Sequence, residues 1–271
     1  MKFRLIMEEY IKLRDIPSQW GLKKGDRVFI SSDITALGEA CLEHGDRFKP
    51  NDLLDAVIEA VGPEGTILLP TYNWDFCHGG TFDYNKTKGK TGSLGNLALK
   101  RPDFKRTQHP IYSFAVWGKD QEYLCGLQNK SSFEEDSPFG YMNRCKVTNI
   151  LINVPFEHSF TYVHYVEQMM ENKLEIHYRY HKDFTSLYRD KDGNEEMRTY
   201  SMFVRYLDLE PISSESRGNL LRNMLSEAGT MSSFFINGVE FKKVDMAASV
   251  PTIVEYLKVG PYYGKKYSLK S

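Results

Sequence analysis

The stretch TNILINVPFEHSFTYVHYVEQ, Thr148 to Gln168, decides how the rest of the chain is read. Asn149 to Phe156 is almost wholly apolar and β-branched and lies between polar residues. That pattern is expected of a strand buried on both faces, as in the middle of an α/β sheet. Pro155 closes it, Glu157-His158-Ser159 makes a short polar connection, and a helix follows with Ser159 or Thr161 as its cap. Thr161, His164 and Glu167 then recur every three residues and share one helix face. A hydroxyl, an imidazole and a carboxylate are thus expected together just past the carboxyl end of a buried strand, where open α/β sheets bind their ligands. A helix dipole disfavours a charged ring in its first turn, so His164 is expected to be neutral and able to accept a proton. A solvated helix face has the same spacing, and spacing alone does not choose between the two.

Working outward, Arg27 to Ser31 reads as a short buried strand after the turn Gly21 to Asp26. It runs into Ser31-Ser32-Asp33 and then Leu37-Gly38, a loop where a ligand can approach the backbone, or else an ordinary strand-to-helix turn with Asp33 as cap. Asn51 to Val61 is an amphipathic helix stopped at Gly62-Pro63. Gly65 to Thr71 is a second buried strand, and it feeds a long aromatic and glycine-rich loop from Tyr72 to Gly92, a candidate binding loop. Thr91-Gly92 opens another helix, and its N–H groups suit an anion. The densest cationic run, Lys100 to Pro110, follows; Arg106 and Lys105 suit a phosphate, although a solvated charged turn is the plainer reading. Ile111 to Gly118 is a further strand.

Beyond the central helix the pattern changes. Leu174 to Tyr206 alternates polar with apolar residues about an Asp-Gly turn, which predicts an antiparallel hairpin leaving the α/β body. Met231 to Asp245 predicts a second hairpin on Asn237-Gly238, after a helix over Gly218 to Ala228 and before a final helix over Met246 to Lys258. The amino-terminal MKFRLIMEEYIKLRDI is expected to be an amphipathic helix. The fold class expected is α/β: a central mixed, largely parallel sheet flanked by helices, in a single domain spanning 1–271 with a hairpin excursion at about 174–206.

Composition narrows the function classes. The 271 residues suffice for a sizeable core, and 41% hydrophobic with 26% charged residues is ordinary for a globular chain. A formal net charge of −1 leaves no footprint for nucleic acid or an anionic membrane. Cys41, Cys77, Cys125 and Cys145 are widely separated and form no C-x-x-C pair, so no metal site is expected and the thiols read as reduced in a cytoplasmic protein. No apolar run approaches the length of a bilayer span.

The ordered blocks SSDITALG (31–38), GTILLPTY (65–72), TGSLGNLALKRPDFKRTQHPIYSFAVWG (91–118), SPFG (137–140), ILINVPFEHSFTYVHYVE (150–167) and GVEFKKVD (238–245) together resemble the aminoglycoside 3-N-acetyltransferase family. The resemblance implies transfer of an acetyl group from acetyl-CoA, as cosubstrate, to an amine of an amino sugar. His164 stands where the family has its catalytic histidine, and Glu240 where a carboxylate is thought to assist it. Arg106, Thr107 and Ser113 match a pattern associated with the coenzyme, as do Ser32, Leu37 and Gly38. Thr107 replaces the usual serine, and Ser31-Ser32-Asp33 stands where the family often has a histidine before paired serines.

On this reading His164 takes a proton from the acceptor ammonium while Glu240, or failing that Glu167, orients the ring. No cysteine or serine sits in a nucleophile motif, so direct transfer in a ternary complex is expected. Ser31, Asp33, Thr91 and Gly92 are further candidates for the coenzyme, and Tyr72, Trp74, Asp75 and Thr161 for the acceptor. The acceptor expected first is a nucleotide-linked amino-deoxy sugar of surface polysaccharide synthesis; the alternative is an aminoglycoside, with antibiotic resistance as the outcome. The partners expected are these small molecules, with no nucleic acid or membrane, and a homodimer is left open.

Overall fold

The computed structural model describes residues 9–206 and 214–259. Its central strands are the apolar runs read above: β1 (Arg27–Ser32), β2 (Thr66–Pro70) and β6 (Thr148–Ile152) lie side by side and parallel, with β1 in the middle. Phe29, Leu68 and Leu151 pack into one core, while Val28, Ile30, Ile67, Leu69, Ile150 and Ile152 pack into another. Side chains alternate along a strand, so both faces of this sheet are covered. That is why the runs are continuously apolar, each fully buried aliphatic side chain contributing about 1.5–3 kcal/mol.

The remaining strands are β3 (Phe82–Asp83), β4 (Lys105–Arg106), β5 (Phe114–Gly118), β7 (Arg179–Arg189), β8 (Glu195–Arg205), β9 (Met231–Ile236) and β10 (Val239–Asp245). The main sheet has the order β4-β5-β2-β1-β6-β10-β9. Its pairings are antiparallel except for β1 with β2 and β1 with β6. The sheet is mixed, as expected, but the parallel part is limited to its three central strands. The flanks are antiparallel because β5 and the β9–β10 hairpin run against the strands they extend.

Helices Thr35–Glu43, Pro50–Val61 and Ser93–Ala98 cover one face, supplying Leu37, Leu53, Val57 and Leu94. Helices Pro138–Arg144, Tyr162–Met169, Ser214–Glu227 and Met246–Val259 cover the other, with Phe139, Val166, Leu225 and Ile253. No helix among the described residues is long and apolar enough to cross a membrane.

Both expected hairpins form. β7 and β8 pair from Arg179↔Arg205 to Arg189↔Glu195, and with β3 they make a separate three-stranded sheet. At the second turn Asn237 and Gly238 both have positive φ, 51° and 75°, the requirement of a two-residue turn that follows the strand twist.

Three expectations are corrected. The β6 strand stops at Ile152, four residues before Phe156: Asn153 turns to φ 49° and gives its N–H to the Glu240 carbonyl, and Phe156–Ser159 becomes a short helix. Thr161 holds the cap position of the next helix, but its hydroxyl makes no capping bond. The amino-terminal helix is absent from Glu9 onward, its first eight residues lying outside the described ones. Leu13, Ile16 and Trp20 are buried from a turn and a short 3₁₀ segment, Ile16–Trp20. Ile11 is held by the Asn237 side chain, which accepts from its N–H at 2.9 Å and donates to its carbonyl at 2.6 Å.

Asn237→Gly, which keeps the left-handed turn and removes both bonds, should destabilise the protein by about 1–2 kcal/mol. Asn237→Ala adds the cost of a β-carbon in that conformation and should lose about 1–2 kcal/mol more. Urea unfolding of the pair checks the order.

Candidate active site

The carboxyl ends of β1, β2 and β6 point the same way, and a cavity of about 470 Å³ opens beyond them. Ser31 and Ser32 at the end of β1, with Asp33 after them, form one wall, and Pro70 at the end of β2, with Tyr72 and Trp74 after it, forms the next. Val154, His158, Ser159, Thr161 and His164 follow β6, with Thr91, Gly92, Ser93 and Tyr112 completing the lining. Gly92 stitches two walls together: its φ is 86°, and a β-carbon there would lie 2.6 Å from the Ser32 carbonyl oxygen.

The loop from Tyr72 to Gly92 is ordered by its own backbone. The Lys90 N–H donates to the Tyr72 carbonyl at 2.7 Å, and Asn96 closes a two-way bond with Gly89. Tyr72 stands edge-on to Tyr112 and Phe114, and Trp74 edge-on to Tyr112.

His164 is the third residue of its helix and 31% exposed at the side chain. Its Nδ1 lies 2.7 Å from Glu167 Oε2. Glu167 is only 3% exposed, and its other oxygen accepts the Tyr178 hydroxyl at 2.8 Å. Arg179 Nε is 2.8 Å from Oε2, an ion pair whose N–H is not aligned for a hydrogen bond. Burial pushes the Glu167 carboxyl up, but the Arg179 charge and the bonds from His164 and Tyr178 outweigh it and hold the group at about 2. Glu167 is therefore an ionised acceptor at neutral pH.

Arg179 Nη2 also comes within 2.9 Å of His164 Nδ1. A carboxylate only accepts and a guanidinium only donates, so one ring nitrogen serves one of them. The shorter contact, to the full negative charge, is the stronger. Nδ1 then carries the hydrogen, and the lone pair sits on Nε2.

Other expected site residues are placed elsewhere. Glu240 does not meet the ring: its carboxylate pairs with the buried Lys242, two positions along the same strand and on the same face. Among the described residues, the carboxylate on His164 is Glu167. Arg106 is 2% exposed, and its guanidinium donates to Ser113 Oγ and to the carbonyls of Thr71, Tyr84 and Thr87 over the Phe82 ring. Burial lowers it to about 10. Ser113 donates to the Thr71 carbonyl and Thr107 accepts from the Phe114 N–H, so this block fastens the binding loop to β2 and β5 and does not line the cavity.

Leu37 is buried in the core, and Gly38 faces the Phe48 ring at 3.1 Å from where a β-carbon would be. Asp75 pairs with Lys90 in a neighbouring depression of about 400 Å³ that also has Lys86 and Lys88. Tyr112, Tyr178 and Arg179 escaped the sequence reading. Each arrives from a distant segment, and none carries a local motif.

The sequence matches the family described as aminoglycoside 3-N-acetyltransferase over residues 29–258. It is 28% identical over 163 residues to the SPbeta prophage-derived aminoglycoside N(3')-acetyltransferase-like protein YokD of Bacillus subtilis (strain 168). That alignment spans 51% of this chain and 57% of the relative, little more than half its length. Among solved structures, AAC-IIIb in a binary complex with CoASH is similar at TM-score 0.74 and 17% identity, covering 94% of this chain and 97% of that one. Sisomicin-bound AAC-VIa gives 0.72 and 20%, covering 91% and 96%. YokD from Bacillus subtilis gives 0.70 and 19%, covering 90% and 97%. At these identities the structural likeness is one of fold.

Arg106→Met should cost on the order of 3 kcal/mol, because the Tyr84 and Thr87 carbonyls lose their donor and the Thr71 carbonyl loses one of two. Coenzyme A affinity should fall only indirectly, through the loosened Tyr72 to Gly92 loop, and so together with stability, as expected of a residue outside the cavity. Urea unfolding and titration calorimetry check this; a tenfold affinity loss at unchanged stability would return Arg106 to the coenzyme site.

Proposed function

The chain belongs to the aminoglycoside 3-N-acetyltransferase family, and on that premise we propose that it moves the acetyl group of acetyl-CoA onto an amine of an aminoglycoside-like amino sugar. The observation that carries the reading is the His164–Glu167 pair on the wall of the cavity beyond β1, β2 and β6. Only the acetyl-pantetheine end of the coenzyme needs to enter that cavity. Ser31, Ser32, Asp33, Thr91, Gly92 and Ser93 offer it hydroxyl and backbone groups.

The acceptor arrives as an ammonium and has no lone pair until a proton leaves. It loses one proton to solvent, and His164 Nε2 takes the second as nitrogen bonds the thioester carbon. Glu167, holding Nδ1–H, stabilises the imidazolium that results. The carbon–sulfur bond then breaks, and the ring returns its proton to the departing sulfur, leaving an amide and the coenzyme thiol. No cysteine lines the cavity, and burial pushes the thiols of Cys77 and Cys125 up to about 11 and about 12. Direct transfer in a ternary complex follows from this better than an acetyl-enzyme does.

The cavity lining favours a cationic acceptor. Among the described residues it holds one carboxylate, Asp33, and the rings of Tyr72, Trp74 and Tyr112, with no lysine or arginine. An ammonium gains from carboxylates and aromatic faces, whereas the diphosphate of a nucleotide-linked sugar would go unpaired. The relatives named above are aminoglycoside proteins as well, so the order of the two acceptor readings is reversed: the aminoglycoside comes first, and surface-polysaccharide synthesis has no support. A coenzyme A donor places the reaction in the cytoplasm, and acetylation of an aminoglycoside there would give antibiotic resistance.

Thiol release from acetyl-CoA, measured across aminoglycosides and nucleotide-linked amino sugars, is expected with the former. His164→Gln should lower kcat by about 10²–10⁴-fold. Turnover near the wild-type rate in that variant, or no coenzyme A binding at submillimolar concentration, would remove the proposal.

A further inference from the structure

We propose that Arg179 is a positioning residue of the proton-transfer pair, brought in by the hairpin to orient Glu167 and to set a positive charge against protonation of His164. The inference rests on His164 being the base of the proposed transfer.

Arg179 opens β7, and its guanidinium is only 11% exposed. It is held from the hairpin side: Nη1 donates to the Phe203 carbonyl at 2.9 Å on the facing strand, and the charge lies 6.0 Å from the centre of the Phe203 ring. From there Nε reaches to 2.8 Å from Glu167 Oε2, and Nη2 to 2.9 Å from His164 Nδ1. Tyr178, the residue before it, takes the other carboxylate oxygen. Two consecutive residues of the excursion thus hold both oxygens of a carboxylate on the helix Tyr162–Met169. Their segment meets that helix only in the folded protein.

Several groups among the described residues face the ring. Glu167 comes from its own helix, Arg179 from the hairpin, and the Phe133 ring stands edge-on at 5.6 Å. Asp33, His158, Tyr72 and Tyr112 line the same cavity. Glu167 favours a proton on the ring and Arg179 disfavours one, by the sign of their charges. Loss of Arg179 leaves the His164–Glu167 pair holding its proton to higher pH. It also frees the carboxylate to rotate, since Tyr178 alone then fixes it from the hairpin.

The test compares Arg179→Met and Arg179→Lys with the wild-type protein, first by the pH dependence of kcat/KM. In Arg179→Met the acid limb should move up by about one pH unit, so that kcat/KM falls about tenfold at pH values below the wild-type limb and recovers at higher pH. Arg179→Lys keeps the charge, so its limb should stay near the wild-type position. Its single ammonium cannot reach Oε2 and Nδ1 together, so kcat should fall several-fold at every pH. A limb that does not move in Arg179→Met, with activity lowered equally at all pH values, would mean a merely structural role and would overturn the proposal.

Nitrogen-15 NMR of histidine-labelled protein gives a second readout that needs no substrate. The wild-type His164 should show Nδ1–H with the lone pair on Nε2; Arg179→Met, which removes the donor competing for Nδ1, should keep that tautomer and take up its second proton at higher pH, whereas Arg179→Lys should take it up near the wild-type pH. If Arg179→Met does not fold, Arg179→Lys decides: full kcat at every pH overturns the inference. Absence of any acetyl transfer by the wild-type protein would instead sink the function proposed above while leaving the tautomer result standing.

Discussion

A carboxylate at 3% exposure is the constraint to which the other parts of this site are fitted. An unpaired ion in that position costs several kcal/mol, so Glu167 can be buried only where donors converge on it. His164 comes from the same helix, and Tyr178 and Arg179 from the start of the hairpin, which puts the two structural units in fixed relation. The orientation of the imidazole follows from this arrangement. Its Nδ1 edge is taken up by the carboxylate, and the opposite nitrogen has the lone pair that a proton transfer needs.

The cavity that His164 lines is likewise a product of backbone topology. Three parallel strands end together, and the segments leaving them must turn within a few residues of one another. The close approach of Gly92 to the Ser32 carbonyl, the buried Arg106 gathering carbonyls from the loop, and the Ser113–Thr71 bonds are what let the Tyr72 to Gly92 loop lie against those ends. Arg106 is far from solvent yet has no carboxylate among its hydrogen-bond partners; carbonyls and the face of Phe82 receive its donors and charge. In this sense the cationic block shapes the site without touching the cavity.

What was legible in the sequence is what local pattern encodes. The buried strands announced themselves by continuous apolar runs, and the hairpins by Asp192-Gly193 and Asn237-Gly238, because a period of two and a positive φ are properties of neighbouring residues. His164 and Glu167 were readable as a pair because three residues along a helix is one face. The rest depends on distant segments. A run such as Lys105-Arg106 looks the same whether it is solvated or folded inward, and nothing near Glu240 says that Lys242 will take its charge. The amino-terminal periodicity was real, but Leu13, Ile16 and Trp20 are buried from a turn and a short 3₁₀ segment instead of an α-helix. Arg179 lay in an alternating polar and apolar strand with no sign that it would end beside an imidazole.

On the proposed reading the reacting thioester sits in the cavity beyond β1, β2 and β6, next to His164. A crystal structure of the protein with coenzyme A tests it most directly. The pantetheine arm is predicted to enter between the Ser31–Asp33 and Thr91–Ser93 walls, with its sulfur close enough for an acceptor nitrogen to fit between it and the ring, about 3–3.5 Å from each. A coenzyme lying instead in the depression formed by Lys86, Lys88 and Lys90, with its sulfur directed away from His164, would contradict the claim.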